Sequence, residues 1–211
     1  MDVITAIQLA DYRRRVAGIY SRIRDLGCNQ SSWREWRSRR DELFRTHPQS
    51  PIPEARRSSF AGLAYFHYDP YYRVEAEVEP LDGPSLQMTH SGDGSTEFLP
   101  LGRVLLSGLG IEETLTLFWL NSYGGGLFLP FSDATSGVAI SGAATYGGGR
   151  YLLDTAKGAD LGSINGKLML DFNFAYHPSC VHNDQWSCPL APMSNRLTID
   201  VGSGECLDRH G

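Results

Sequence analysis

In the stretch Tyr72-Arg-Val-Glu-Ala-Glu-Val-Glu79, apolar and charged residues alternate without a break. Tyr72, Val74, Ala76 and Val78 share one side, and Arg73, Glu75, Glu77 and Glu79 the other. A period of two belongs to a strand that packs one face and wets the other, the usual state of an antiparallel sheet. Moving outward, further short strand candidates fall at 86–90, 103–106, 114–120, 127–131, 150–154, 167–176 and 196–201, with Gly-, Asp- and Pro-containing breaks between them. No long helical pattern intervenes, so a doubly wound parallel sheet is not expected. The region from residue 59 to 211 is expected to be a mainly β body, an antiparallel β-barrel or sandwich, within an α+β chain.

Ahead of this body the period is helical. Ile4, Ile7, Leu9, Tyr12, Val16, Ile19, Tyr20 and Ile23 recur at spacings of three and four, which predicts a helix over 2–26 that stops at Gly27. A second helix is expected to start at Ser32, with Ser32 and Glu35 as a capping-box pair and Trp33, Trp36, Leu43 and Phe44 on one stripe. It ends before Pro48. The proline-rich 47–57 then reads as an extended connector with one helical turn begun by Pro53. Residues 1–58 are thus expected to form a helical segment packed on the body.

Composition narrows the function classes. The chain has 211 residues, 41% hydrophobic and 20% charged, enough to bury a core and unlike a disordered chain. The densest apolar run, 115–120, is far short of the ~18 residues that span a bilayer, so no membrane partner is expected. The first fifteen residues lack the basic and apolar regions of a secretory signal, which points to the cytoplasm. The net charge of −5 conceals an asymmetry: residues 1–58 hold 12 Arg against 7 acids, while residues 59–211 hold 7 basic residues against 17 acids. The acidic body supplies a counter-charge for the basic arm, so no nucleic-acid partner is expected.

Candidate chemistry concentrates in the last third. Over 167–177 the even positions Leu168, Leu170, Phe172, Phe174 and Tyr176 form an apolar face, and the odd positions include Asp171, Asn173 and His177. An extended strand would point Asp171 and Asn173 together into solvent or a polar cavity, with Arg150 a candidate ion-pair partner for Asp171. In the following loop His177, Cys180, His182, Asp184 and Cys188 fall within twelve residues. Their spacing matches no zinc ribbon or finger. The loop admits four readings: packed thiols, a metal site through Cys180, His182 and Cys188, a Cys–His nucleophile, or a Cys180–Cys188 disulfide. Two Tyr-Gly-Gly-Gly runs begin at Tyr123 and Tyr146. They are expected to be sheet corners, since neither fits a phosphate-binding motif.

The blocks FRTHPQSPIP (44–53), YGGGLFLPFSDATSG (123–137), TYGGGRYLLDTAKGADLG (145–162) and LDFNFAYHPSCVHNDQWSCPLAPMSNRL (170–197) resemble the bacterial and archaeal family known as domain of unknown function 1684. The resemblance spans roughly residues 30–205 and implies a mostly β domain behind N-terminal helices, with no assigned activity. It marks Arg150, Asp154, Asp171, Asn173, Tyr176, Cys180, Trp186, Cys188, Pro189 and Asn195 as motif positions. The family pattern has Asn and Tyr where this chain has His177 and His182, which weakens a zinc site and leaves Cys180 with Cys188; 138–144 resembles an insertion. The expectation is a protein with a small-molecule pocket lined by Arg150, Asp171, Asn173, Tyr176 and Cys180. Arg150 would hold an anionic group, and Asp171 or Cys180 would be the catalytic group if the pocket is an enzyme's. Two rivals stand beside it: a non-catalytic interaction module using the basic, Trp-containing helix 32–46, and a Cys/His metal protein. The sequence implies no cofactor and sets no oligomeric state.

Overall fold

The computed structural model describes residues 1–138 and 143–207. The insertion-like stretch 138–144 therefore lies mostly outside the described residues. Helix α1 (Val3–Leu26) starts where the Asp2 carboxylate accepts the N–H of Thr5, and it stops at Gly27, whose φ of 72° suits a residue without Cβ. Its last turns bury Ile19, Tyr20 and Ile23, while Ile4 and Ile7 near its start stay exposed. Helix α2 (Gln30–Thr46) begins two residues earlier than expected. Asn29, not Ser32, is the cap: its side chain accepts from Ser31 and Ser32, and Ser32 returns the bond to the Asn29 N–H. The Ser32–Glu35 box is thereby corrected, because Glu35 instead pairs with Arg22 and Arg39 on the surface. A four-residue helix, α3 (Glu54–Arg57), follows at the expected turn. No helix among the described residues is long and apolar enough to cross a membrane.

The β part consists of two antiparallel sheets. One has the order β1 (Arg73–Ala76), β9 (Lys167–Asp171), β8 (Ser163–Ile164). The other runs β2 (Val78–Pro80), β4 (Ser95–Leu105), β5 (Thr114–Leu120), β6 (Leu127–Phe131), β7 (Arg150–Asp154), with β3 (Leu86–Thr89) also paired to β4. Among the described residues no pairing closes either sheet into a barrel. The alternating stretch 72–79 is the corner between them. Val74 and Ala76 are buried as the alternation requires, but the strand breaks at Glu77, so β1 pairs with β9 and β2 with β4. Val74, Val104, Leu115, Leu129, Phe131, Leu170 and Phe172 pack between the two sheets. A second core joins Ile23, Trp33, Trp36 and Leu43 of the helices to Ala159, Leu161, Met169 and Phe174 of the body.

Two strand expectations are corrected. Residues 196–201 form no strand: Arg196 makes an isolated bridge with Ser132, and Leu197 and Val201 pack into the core between the sheets. The 167–176 strand ends at Asp171, where the Asp171 carboxylate accepts the N–H of Asn173 and starts a 3-10 turn, Phe172–Phe174. That turn sends Phe172 into the inter-sheet core and Phe174 into the helix-facing core, and it buries Asp171 and Asn173 as well.

The glycine runs are turns made necessary by close approach. Gly149 has φ 92°, and a Cβ there would stand 2.5 Å from the Phe131 carbonyl oxygen, a backbone atom that cannot move aside. Gly149→Ala is expected to cost more than about 2 kcal/mol in urea unfolding, combining left-handed strain with the clash. A loss below about 0.5 kcal/mol would contradict that packing.

Candidate functional site

A cavity of about 230 Å³ lies where α1, α2 and the loop 176–188 meet. The two helices are held against the body by apolar faces and by hydrogen bonds, among them that of the Trp33 indole N–H, which donates to the Asn173 carbonyl over 2.8 Å. Tyr12, Val16 and Tyr20 of α1 and Arg40 and Phe44 of α2 form one side; Tyr151, Tyr176, His177, Trp186 and Cys188 form the other. Arg13 and Lys157 add cations to the wall. Lys157 is 3.4 Å from Asp154, and Arg13 has no ion pair among the described residues.

Beside the cavity lies a buried polar network that joins the helices to the end of the chain. Arg40 donates to the Tyr65 hydroxyl and, over 3.0 Å, to Glu205 Oε2, with its guanidinium 4.6 Å from the Trp36 ring and 5.3 Å from the Tyr176 ring. Glu205 Oε2 also accepts the His177 N–H at 3.1 Å. Its Oε1 has His182 Nε2 at 3.3 Å and His177 Nδ1 at 3.5 Å, neither aligned as a hydrogen bond. Burial opposes the Glu205 charge, yet Arg40 and the two imidazoles outweigh it and hold the carboxyl well below its usual range. Burial pushes the His177 pKa down. Its Nε2 accepts the Tyr146 N–H at 3.2 Å, so the neutral ring carries its proton on Nδ1, facing Glu205.

The residues expected from the sequence to line one pocket are distributed over several places. Tyr176 lines the cavity, and Cys180 adjoins it through Cys188. Arg150, Asp171 and Asn173 do not line it. The expected Arg150–Asp171 pair does not form. Fully buried Arg150 pairs with Asp133 at 2.7 Å and donates to the carbonyls of Val201, Ser203 and Glu205, fastening the C-terminal segment to β7. Its charge and most of its donors are thus committed. Asn173 is likewise occupied: it donates to Asp171 Oδ1 and the Asp69 carbonyl and accepts from the Asp69 N–H and the Ser203 hydroxyl.

Asp171 is buried with Oδ2 unpartnered, and burial raises its pKa to about 6 despite the Asn173 hydrogen bonds and Arg73. Because the folded value lies above the unfolded one of ~3.9, this group's contribution is fully present below about pH 4 and is lost as pH rises through 6. About 3 kcal/mol is at stake. Asp171→Asn keeps the Oδ1 acceptor, so it should flatten the stability profile between pH 4 and 7 and leave the protein at least as stable as the wild type at pH 8. Parallel profiles for the two proteins in denaturant melts would contradict this account of Asp171.

The two thiols of the loop meet. The neighbouring Cys188, Ser91 and Tyr146 side chains, Cys188 most of all, lower the Cys180 pKa to about 6, and Cys180 together with burial raises that of Cys188. Cys180 and Cys188 are both free thiols. Among the described residues no three His, Cys, Asp or Glu side chains are arranged to hold a metal, and His182 turns to Glu205.

Fold and cavity together define an α+β protein in which two N-terminal helices cover one side of a two-sheet body and wall a cavity lined by aromatic, aliphatic and a few polar side chains. The chain belongs to the family described as a protein of unknown function, DUF1684, whose model matches residues 58–206. Among solved structures it is similar to the solution NMR structure of an uncharacterized protein of Haloarcula marismortui, with 35% identity over 86% of this chain and 96% of that chain and a TM-score of 0.57. No curated protein matches it.

Proposed function

We propose that the chain is a small-molecule-binding protein of the cytoplasm whose site is the cavity between the helices and a sandwich-like body, and whose ligand is a single-ring aromatic acid. The observation that carries this reading is the wall itself: several aromatic rings, two cations at Arg13 and Lys157, and Trp186, whose indole N–H is buried without a partner. An apolar cavity of roughly 150 Å³ takes up benzene, so 230 Å³ accommodates one ring and its carboxylate. The cations and the unused donor suit the carboxylate, and ring faces suit the apolar part. Arg150 is replaced in this role by Arg13 and Lys157. Residues 1–58 then serve as a lid, which is why Trp33 and Trp36 are buried and not displayed for a macromolecular partner.

Benzoate titrated into the labelled protein should shift the Trp186 indole resonance, and neutral benzyl alcohol should bind at least tenfold more weakly. Equal binding of the two, or shifts confined to surfaces away from Trp186, would overturn the proposal.

A further inference from the structure

At the mouth of the cavity a serine, a histidine and a threonine from separate parts of the chain form a hydrogen-bonded row. Ser187 lines the cavity and stays open to solvent. Its segment lies antiparallel to the end of β3: His90 bridges Pro189, the Ser91 N–H donates to the Cys188 carbonyl at 2.9 Å, and the Leu190 N–H donates to the Thr89 carbonyl at 2.9 Å. That pairing sets His90 beside Ser187, with Nδ1 3.2 Å from Ser187 Oγ. The other ring nitrogen, Nε2, is 2.8 Å from Oγ1 of Thr96 in β4. A hydroxyl within reach of a base that is itself held on its far side is the arrangement of an activated nucleophile. Oγ also lies 3.2 Å from the Asp93 carbonyl, which anchors the hydroxyl between the two segments. A Cβ at Gly92 would stand 3.3 Å from Ser187 Oγ, so glycine keeps that side of the hydroxyl open. Trp186, adjacent in the chain, lines the cavity with its indole N–H buried and unpartnered.

We propose that Ser187 and His90 are the nucleophile and general base of an esterase site whose substrate is an ester of a single-ring aromatic acid; the substrate class rests on the ligand assigned to the cavity above. The reaction uses the ring tautomer protonated on Nε2, whose N–H donates to Thr96 while Nδ1 accepts from Ser187. His90 Nδ1 takes the Ser187 proton as Oγ bonds to the ester's carbonyl carbon, and the carbonyl oxygen takes up the negative charge, with the Trp186 N–H as its available donor. The tetrahedral intermediate collapses, the bond from acyl carbon to alkoxy oxygen breaks, and the His90 proton leaves with the alcohol into solvent. Water then gives a proton to His90 and bonds to the acyl carbon, the bond to Oγ breaks, Ser187 recovers that proton, and the acid is released. The sum is ester plus water giving acid plus alcohol. Thr96 is a positioning residue that acts through His90. Burial and the Lys157 charge hold the His90 pKa below its usual value, so the ring is neutral at pH 7 and able to accept a proton.

The test gives the full chain 4-nitrophenyl benzoate at neutral pH and, in parallel, 4-nitrophenyl acetate, whose acyl group needs no ring site. Nitrophenol release should be catalytic, and an acid quench should leave the chain heavier by one acyl group on the peptide carrying Ser187. Ser187→Ala and His90→Gln should each lower kcat/KM by at least about a hundredfold. Thr96→Val should lower kcat with KM unchanged, and Thr96→Ser should restore it, a pattern that a loss of folding does not produce. Hydrolysis that persists in Ser187→Ala, an acyl group on another residue, or no hydrolysis of either ester by the wild type would overturn the proposal. The ligand assignment is read separately: benzoate binding by a chain that cleaves neither ester overturns the esterase alone, whereas acetylation of Ser187 by a chain that ignores both benzoate and its ester upholds the Ser187–His90 pair and overturns the aromatic substrate.

Discussion

Arg150→Met should lower the free energy of unfolding by about 3–5 kcal/mol, the range for removing one member of a buried ion pair. The loss has two sources. Asp133 is left buried with Oδ2 unpaired, and the carbonyls of Val201, Ser203 and Glu205 lose their shared donor. Methionine restores most of the volume beside Phe131, over whose ring the guanidinium sits at 4.9 Å, so the cost is electrostatic more than steric. Adding Asp133→Asn to the variant should recover part of the loss, since Asp133 Oδ1 keeps its bonds to Thr135 while the stranded charge disappears. Chemical denaturation of the two variants measures both effects. A loss below about 1 kcal/mol, with any binding weakened in proportion, would instead restore Arg150 to a ligand-binding role.

The second large effect is expected at Trp36. It is fully buried, with Phe174 at 5.1 Å, Tyr65 at 5.6 Å and Tyr20 at 6.2 Å between ring centroids, so it joins α1, α2 and the body in one contact. Trp36→Ala should cost about 3–5 kcal/mol and loosen the helices that wall the cavity. Equilibrium unfolding followed by tryptophan fluorescence should show the loss as a lower midpoint. A helix that merely presents its aromatic face to a partner would lose less than about 1 kcal/mol, and that result would favour the interaction-module reading.

Much of the architecture was legible in the residues. Helix α1 falls where its three- and four-residue spacing places it, and the strands 114–120, 127–131 and 150–154 where short apolar runs stand between Gly-, Asp- and Pro-containing breaks. The boundary of α2 was misread because Ser32 lies inside a box whose cap is Asn29, and both residues are good caps. The break at Glu77 was hidden by continuous alternation, since nothing in the period tells a strand that it changes sheets. The break after Asp171 was hidden in the same way. There an Asp side chain bonding two residues ahead competed with the ladder and won. The site was less legible. Tyr176, Cys180 and Cys188 were visible as residue types, but Arg150 and Asp171 have separate structural partners that no spacing reveals. Arg40 and Glu205 were missed. The signal for Arg40 was present: it sits on the same helical face as Trp36, Leu43 and Phe44, and a charge on an apolar stripe requires a buried counter-charge. That the partner would be Glu205, 165 residues away, could come only from the fold.

The central claim is that the space between the helices and the body is a ligand site, and calorimetry of benzoate binding to the wild type and to Val16→Trp tests it most directly. Val16 lines the cavity from α1, so the indole should occupy the ring's place while the rest of the helix stays packed. Binding of benzoate by the wild type and its loss in Val16→Trp, with the variant still folded cooperatively, is the expected result. Equal benzoate binding by both proteins, or none by the wild type, would contradict the account.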